Sequence, residues 1–414
     1  MKIYKRDGRL VPFDKNKIID AVLSAFKDVD GKITSYAEIK AGNIADYIQE
    51  IAETKELTIE EIQDLVEKGL MATKRKDVAK SFILYRENRT KERNKRSPLT
   101  RQVKRHIMAD NVENQNANVD ENSFGGRRGE ASGAVMKDYA LNYCMSKKAV
   151  RNHLDNMIYT HDLDSYAVGM HNCLTVPFDD LLANGFNTRQ TDVRPANSIN
   201  TAFQLVAVIF QLQSLQQFGG VSASHLDWTI VPYVRKSFYK HYINGLKYIE
   251  GIENPKTNYN NKMSIEDELY KDFSNVYQYA MDMTIKECQQ AVEGMYHNLN
   301  TLQSRSGNQL PFTSINYGTC TLPEGRMVIK ALLEGSIKGV GKFHKTSIFP
   351  CGIFQCMKGV NRKPGDPNYD LFKLALKATA QRLYPNYANV DWSGNAGYDI
   401  NDPKTYFSTM GLVA

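Results

Sequence analysis

The sequence lacks any long hydrophobic run, any cysteine pair with CxxC spacing, and any internal repeat or low-complexity tract. Its longest apolar run, residues 205–210, is far too short to span a bilayer, and the N-terminus has no apolar segment of the signal-peptide type. Without CxxC pairs, a zinc knuckle within the chain is not expected. We therefore expect a cytoplasmic protein without a membrane-spanning segment, whose six cysteines remain thiols.

Charge is distributed unevenly along the chain, which has 414 residues and a formal net charge of +7. The length suggests two or three domains, and a content of 42% apolar and 24% charged residues is ordinary for a globular protein. Nine basic side chains stand between positions 86 and 105 against two acidic ones. Because no aromatic residues are interleaved with them and the run breaks at Ser97-Pro98, we interpret it as a helix tail and a solvated linker. No nucleic-acid partner is expected.

The N-terminal residues have the pattern of a short hairpin followed by a helix. Ile3 and Val11 can pair as strand residues on either side of Asp7-Gly8, a strong two-residue turn signal. Asp14 is placed to cap a helix whose apolar positions recur at helical spacing from Ile18 onward. The hairpin therefore leads directly into a helix N-terminus.

Three cations, Lys5, Arg6 and Lys17, would converge near this helix start. An anion there gains both from the positive charge and from backbone N–H groups. The residues alone leave open the alternative of a solvated basic hairpin. Further along, Thr58 with Glu61 three residues later predicts a capping box at another helix start.

Beyond the hairpin, the pattern indicates a helical module and then an α/β domain. Helical segments are predicted at residues 34–54, 58–72, 76–95, 139–159, 199–218 and 236–300, the last as surface helices. Short strands are predicted at residues 174–176, 312–317 and 346–349. Residues 100–133 are polar and glycine-rich, match no P-loop or dinucleotide fingerprint, and are interpreted as a connecting loop. Short strands separated by long helical spans indicate α/β architecture with crossover connections.

The opening motif KRDGRxVxFDxxKI, followed by some seventy residues of helical pattern, resembles the ATP-cone of ribonucleotide reductases over residues 1–95. The resemblance implies that Lys5, Arg6 and Lys17 lie near nucleotide phosphates and that Thr58 lies near the nucleotide. ATP would be the activator and dATP the inhibitor at this module.

The later motifs HDLDxYxxGxxNC, QFGGVS, NQLPFTSIN, SIFPxxIF and GDPNYDL, in that order, resemble the anaerobic (class III) ribonucleoside-triphosphate reductases. The resemblance implies an N-terminal ATP-cone, a linker and entry loop at residues 96–133, and the first half of a ten-stranded α/β barrel at residues 134–414. It also implies ribonucleoside triphosphates as substrates, formate as reductant, a radical-SAM activating enzyme as partner, and a homodimer.

By the same resemblance Cys173 is the reducing cysteine, a hydrogen donor to the ribose 2′ carbon. Asn316 is expected to face a common cavity with Cys173. His161 and His171 lie in a stretch whose residue types could ligate a metal. The family uses that segment differently, so no metal is expected there.

The sequence departs from the family pattern at Leu412, which stands where the Met-Gly-Cys-Arg motif has its radical cysteine. A leucine side chain cannot carry a thiyl radical. The glycyl radical and a zinc site are expected only in a C-terminal half outside this sequence. The chain is therefore expected to be incomplete and inactive alone.

Three other functions are compatible with parts of the sequence. The first is a non-catalytic module that binds ATP or dATP and mediates dimerisation, which would need no second polypeptide. The second is a nucleotide-responsive transcription regulator, which is disfavoured because only four residues precede Lys5 and leave no room for a zinc ribbon. The third is a formate-lyase type of glycyl-radical enzyme, which is disfavoured because no two cysteines are adjacent.

Overall fold

The chain folds into two units. The computed structural model describes residues 1–6, 8–95, 97–108, 122–169, 171–255, 258–304, 309–392 and 397–410. Contacts between Cα atoms divide it into unit 1, Met1–Gln102, and unit 2, Val103–Ala414. Asp7 of the predicted turn and Leu412 lie outside the described residues.

Unit 1 is a helical module on a small sheet. Its elements are β1 Lys2–Tyr4, β2 Leu10–Pro12, α1 Lys15–Asp30, α2 Ser35–Thr54, β3 Leu57–Thr58, α3 Ile59–Ala72 and α4 Lys76–Lys95. β1 lies in the centre of the sheet, antiparallel to β2 and parallel to β3, and Ile3 is opposite Val11 as the sequence predicts. The three helices predicted at 34–54, 58–72 and 76–95 are therefore confirmed within a residue.

Side-chain caps explain why these helices begin where they do. The Asp14 carboxylate accepts a hydrogen bond from the Asn16 N–H, and the Thr34 hydroxyl accepts one from Ala37. At α3 the predicted capping box is present, because Thr58 Oγ1 accepts from Glu61 N–H while the Glu61 carboxylate accepts from Thr58 N–H. The apolar faces of the helices then meet in one buried core.

The segment predicted to be a connecting loop, residues 100–133, is largely helical where it is described. Helix α5 spans Pro98–Met108 and helix α6 spans Phe124–Tyr139. Pro98 occupies the first helical position, where a missing N–H is tolerated, and Ser123 caps α6 through its hydroxyl. The prediction was wrong because these caps outweigh the low helix propensity of the glycines.

The periodic stretch at 139–159 is not one helix either. A π-helical turn, Ala140–Cys144, follows α6 and ends before α7, Lys147–Leu154, which Ser146 caps. The remaining helices of unit 2 are α8 Leu163–Tyr166, α9 Phe178–Asn184, α10 Ile199–Ser214, α11 Leu226–Thr229, α12 Val231–Tyr248, α13 Ser274–Thr301, α14 Pro323–Lys338 and α15 Tyr369–Arg382.

Unit 2 is built on a five-stranded parallel sheet. Its strands are β4 Leu174–Thr175, β7 Val221–Ala223, β8 Thr313–Tyr317, β9 Cys351–Cys356 and β10 Asn386–Asn389, which neighbour one another in chain order. Helices connect successive strands, which confirms the predicted α/β class with crossover connections. A separate two-stranded ribbon pairs β5 Phe186–Asn187 with β6 Asp192–Val193.

Two details of unit 2 differ from the sequence-based predictions. The strand predicted at residues 346–349 is absent, and β9 begins only at Cys351, after Pro350, which has no N–H to donate to a sheet. Residues 236–300 are not only surface helices. Phe238, Tyr242 and Val292 are fully buried in the main core of the unit.

The central strands of the sheet have one apolar and one polar face. Val221, Ile315 and Phe354 belong to the hydrophobic core, whereas Asn316 and Gln355, both fully buried, alternate with them. The polar face is where the candidate site of unit 2 lies. Within the described residues, no helix has the length and apolarity needed to cross a membrane.

Candidate functional sites

A cavity of about 370 Å³ opens in unit 1 between the hairpin, α1, α3 and α4. Lys5 and Lys17, two of the predicted phosphate-seeking cations, both line it. Its apolar lining comprises Ile3, Val11, Pro12, Phe13, Ile18, Ala21, Ile59, Ile62, Val66, Phe82 and Tyr85. An apolar floor with a cationic rim matches a ligand that has a flat apolar part and several negative charges.

Three arginines on one face of α4 complete the rim. Arg86, Arg89 and Arg93 line the cavity and follow one another at helical spacing, i, i+3 and i+7. The Arg89 guanidinium lies over the ring of Tyr85, 5.9 Å from its centroid. The sequence-based interpretation of this run as a solvated helix tail missed their position, although the spacing was visible in the sequence.

Arg6 and Thr58 have other contacts in this structure. Arg6 Nε donates to the Glu60 carboxylate, and Arg6 Nη2 donates to Gln63 Oε1 at 3.2 Å. The Thr58 hydroxyl belongs to the capping box of α3. Neither residue is among those that line the cavity, whereas Gln63 is. Arg6 is therefore linked to the cavity through Gln63.

On the polar face of the unit 2 sheet, Asn316 holds the main chain of a later segment. Its Nδ2 donates to the carbonyl of Thr409 at 3.0 Å, and its Oδ1 accepts from the Thr409 N–H at 3.1 Å. Nδ2 also contacts Ser222 Oγ and the Ala223 carbonyl on the neighbouring strand β7. Both the donor and the acceptor group of the Asn316 amide thus form hydrogen bonds within the chain.

Gln355 on β9 holds the same segment two residues earlier. Its Nε2 donates to the carbonyl of Phe407 at 2.9 Å and approaches that of Ser224 at 3.4 Å. Its Oε1 is buried and has no hydrogen-bond partner among the described residues. We call residues 406–410 the terminal strap. Asn316 and Gln355 fix the strap across the sheet, and no sequence motif indicates the role of Gln355.

Charged side chains hold the chain just before the terminal strap. Asp179 at the start of α9 lies 2.9 Å from His225 Nε2 and 3.5 Å from Lys404 Nζ, and it accepts from the Thr229 hydroxyl. Burial alone would raise the pKa of Asp179, but the hydrogen bonds from His225 and Thr229 lower it to about 2. Asp179 is therefore ionised at neutral pH.

Cys173 lies directly before β4 and is exposed. Its sulfur accepts a hydrogen bond from the Gly220 N–H at 3.2 Å. A Cβ on Gly219 would lie 2.0 Å from the Asn172 carbonyl oxygen and 2.7 Å from Cys173 Sγ, so only glycine permits this approach. In the QFGGVS motif, Gly220 thus donates a hydrogen bond to the Cys173 sulfur, and Gly219 allows the main chain at Asn172 to approach closely.

Cys173 and Asn316 do not contact each other. Leu174, which follows Cys173, pairs with Val221 and through it with Thr313, three residues before Asn316. The two positions are therefore separated by four residue rows, roughly 13 Å along the strands, although they share one face. A cavity common to both stays a prediction.

The histidines of the first polar segment have ordinary partners. His161 Nδ1 contacts the carboxylate of the adjacent Asp162, and the main-chain carbonyl of His171 accepts from the Phe218 N–H. The described part of the chain contains no group of three or more His, Cys, Asp or Glu side chains suited to a metal ion.

Residues of the GDPNYDL motif form hydrogen bonds to the turn that follows strand β8. Asn368 donates to the carbonyls of Gly318 and Cys320, in the turn that follows β8. Arg326 on α14 donates to Asn368 Oδ1 and forms an ion pair with Asp370. These residues fix the carboxyl end of β8, which positions the neighbouring Asn316.

Two family models match this chain, one over each of two consecutive ranges. The family model described as anaerobic ribonucleoside-triphosphate reductase matches residues 115–411, and the ATP cone domain model matches residues 1–91. The anaerobic ribonucleoside-triphosphate reductase of Haemophilus influenzae is 33% identical over 94% of this chain and 52% of that protein. The Escherichia coli protein of the same name is 31% identical over 99% of this chain and 54% of its own length.

A crystal structure of the anaerobic ribonucleotide reductase from Thermotoga maritima, in complex with dATP and CTP, aligns with 65% of this chain and 43% of its own, at 15% identity and a TM-score of 0.43. The chain spans about half the length of the curated relatives it matches. The match over residues 115–411 covers most of the sequence. The chain belongs to the anaerobic ribonucleoside-triphosphate reductase family and carries an ATP cone domain.

Proposed function

We propose that the cavity of unit 1 binds ATP or dATP as an allosteric effector. The observation that carries this proposal is the combination, in one cavity, of an apolar floor with the cations Lys5, Lys17, Arg89 and Arg93. The floor takes the adenine and the rim takes the phosphates. Thr58 caps α3, the helix whose Ile59 and Ile62 line the floor, but does not itself line the cavity.

Calorimetry with ATP and dATP tests this proposal. Each charge-assisted phosphate contact contributes roughly 1.5–3 kcal/mol, so changing both Lys5 and Lys17 to alanine should weaken binding by more than about tenfold. The matched control is Lys32→Ala with Lys74→Ala, which removes the same charge from unit 1 outside the cavity lining. Unchanged affinity in the Lys5/Lys17 variant would remove the assignment.

We propose that unit 2 takes part in the reduction of ribonucleoside triphosphates, with Cys173 as the cysteine that reduces the ribose 2′ carbon. The exposed thiol, seated against Gly220 and kept accessible by Gly219, supports this role. Asn316 serves the same site by holding the terminal strap. Formate as reductant, a glycyl radical, a radical-SAM activating enzyme and a homodimer complete the proposal by family membership. A zinc site would lie in the part of the relatives that this chain does not span.

Anaerobic turnover assays test the second proposal. With an activating enzyme, formate and a ribonucleoside triphosphate, this chain alone should form no deoxynucleotide, because Leu412 provides no thiol for a thiyl radical. A supplementary polypeptide should restore turnover only if it brings the Met-Gly-Cys-Arg loop and the glycyl-radical loop. Cys173→Ser should then abolish turnover and leave ATP binding to unit 1 unchanged. Turnover by the chain alone, or by Cys173→Ser, would contradict the proposal.

A further inference from the structure

Arg86 in the wall of the unit 1 cavity is held by three carboxylates of α3. Its guanidinium lies 2.9 Å from Glu60 Oε2, 2.7 Å from Asp64 Oδ1 and 2.5 Å from Glu67 Oε2. These three acids follow one another at i, i+4 and i+7, which places them on one face of α3. Arg86 is therefore already paired with carboxylates that are not among the residues lining the cavity.

Glu60 also holds a second guanidinium. Its Oε1 contacts Arg6 Nε while its Oε2 accepts from Arg86 Nη2. Hydrogen bonds from Arg86 and from Arg6 lower the pKa of Glu60, although its partial burial opposes the shift. The carboxylate is thus charged at neutral pH and bridges two arginines, of which Arg86 lines the cavity and Arg6 is bonded to the cavity residue Gln63.

A phosphate group that enters the cavity must compete with Glu60 for these guanidiniums. A guanidinium that turns from a carboxylate to a phosphate loses one charge-assisted pair as it gains another, so its net contribution to binding falls. We propose that Glu60 is an internal counter-ion of the nucleotide site, which lowers the affinity for triphosphates by withholding Arg6 and Arg86. This inference rests on the proposed binding of ATP in unit 1.

The substitution Glu60→Gln tests the inference, because it removes the charge and preserves the shape. ATP and dATP should bind the variant about fivefold tighter or more. Adenosine, which has no phosphate, should bind both proteins equally. The Glu60 side chain is about half exposed, at 49%, so the variant should fold.

Two further variants make the result specific. Glu61→Gln removes the same charge one residue away, where the carboxylate serves the capping box and Lys55 and where glutamine is tolerated, so ATP affinity should stay at the wild-type value. Asp64→Asn frees Arg86 from one of its three partners and should give a gain smaller than that of Glu60→Gln.

The outcomes separate the two proposals. If wild-type protein binds ATP and Glu60→Gln binds it no tighter, the counter-ion role is wrong and the nucleotide site stands. An equal gain in Glu61→Gln would also overturn it, since the effect would then be one of overall charge. If neither wild type nor Glu60→Gln binds ATP, the proposed nucleotide site is wrong and the counter-ion role falls with it.

Discussion

The two polar regions of this molecule are built from opposite kinds of side chain. The cavity of unit 1 is rimmed by long cations, of which Arg86 pairs with carboxylates on α3 and Lys17 pairs with Asp14. The polar face of unit 2 is made of buried neutral amides, Asn316 and Gln355, whose donors are all used by the main chain. The cationic rim of the unit 1 cavity suits reversible binding of an anionic ligand. The polar face of unit 2 holds a fixed segment of the protein.

The difference has an energetic cause. Long exposed cations can exchange one anionic partner for another at modest cost, because water screens each intermediate state. A buried amide cannot exchange partners, because leaving its groups unpaired costs about 1–3 kcal/mol each. Substitutions of the cations that rim the unit 1 cavity should therefore change binding with little change in stability, whereas substitutions on the sheet face should destabilise the fold.

The largest effect is expected from Asn316→Leu. It removes both bonds to Thr409 and leaves the buried carbonyl of Ala223 without this donor, which should cost about 3–5 kcal/mol in the free energy of unfolding. Urea unfolding measures the loss, and hydrogen exchange should show the Thr409 N–H unprotected. A loss below 1 kcal/mol would contradict the contrast between the two units, since replacing this buried amide would then cost no more stability than replacing an exposed cation.

Gly219→Ala should cause the next largest loss in the free energy of unfolding. The new Cβ would overlap the Asn172 carbonyl, so the 172–173 main chain must shift at a cost of about 2–4 kcal/mol. The alkylation rate of Cys173 should change with it. Gly294→Ala is the matched control, because a Cβ at that helical glycine meets nothing within 4 Å and alanine favours the helix. Equal stability of the two variants would contradict the close packing around Cys173.

The sequence revealed the parts of the fold that local chemistry specifies. Helices α1 to α3 were predictable because Asp14, Thr34 and Thr58 are strong caps ahead of periodic apolar residues. Strand β7 escaped prediction because three residues are too few to establish a period of two, and its identity depends on pairing with β4 and β8.

The residues of the candidate sites differ in the same way: those placed by local sequence were predictable, and those placed by long-range packing were not. Lys5 and Lys17 were predictable because the hairpin and the helix start place them locally. The arginines of α4 were read as a solvated tail, since only the packing of α4 beside α1 and α3 turns that helix face inward. Gln355 could not be found from sequence, because its partner Phe407 lies 52 residues away in an irregular segment.

Asp179 tests the comparison further, because it is a charged carboxylate among the contacts that hold the chain near the terminal strap. Its pKa of about 2 lies below the ordinary value of 3.8, so ionised Asp179 stabilises the fold above pH 4. That contribution, about 2 kcal/mol at most, should be lost as the pH falls from 4 toward 2. The stability difference between wild type and Asp179→Asn should therefore shrink over this range. A constant difference would assign the effect to packing.

The smallest effect is expected from Thr58→Ala in unit 1. Loss of the Thr58 hydroxyl removes one half of the capping box and should cost about 1 kcal/mol, which Thr58→Ser should restore. Because Thr58 is not among the residues that line the cavity, the intrinsic ATP affinity should change less than about twofold. Thermal unfolding and calorimetry measure the two quantities separately. A large loss of affinity at unchanged stability would show that the Thr58 hydroxyl contacts the nucleotide directly, and the site would then extend past α3 to its cap.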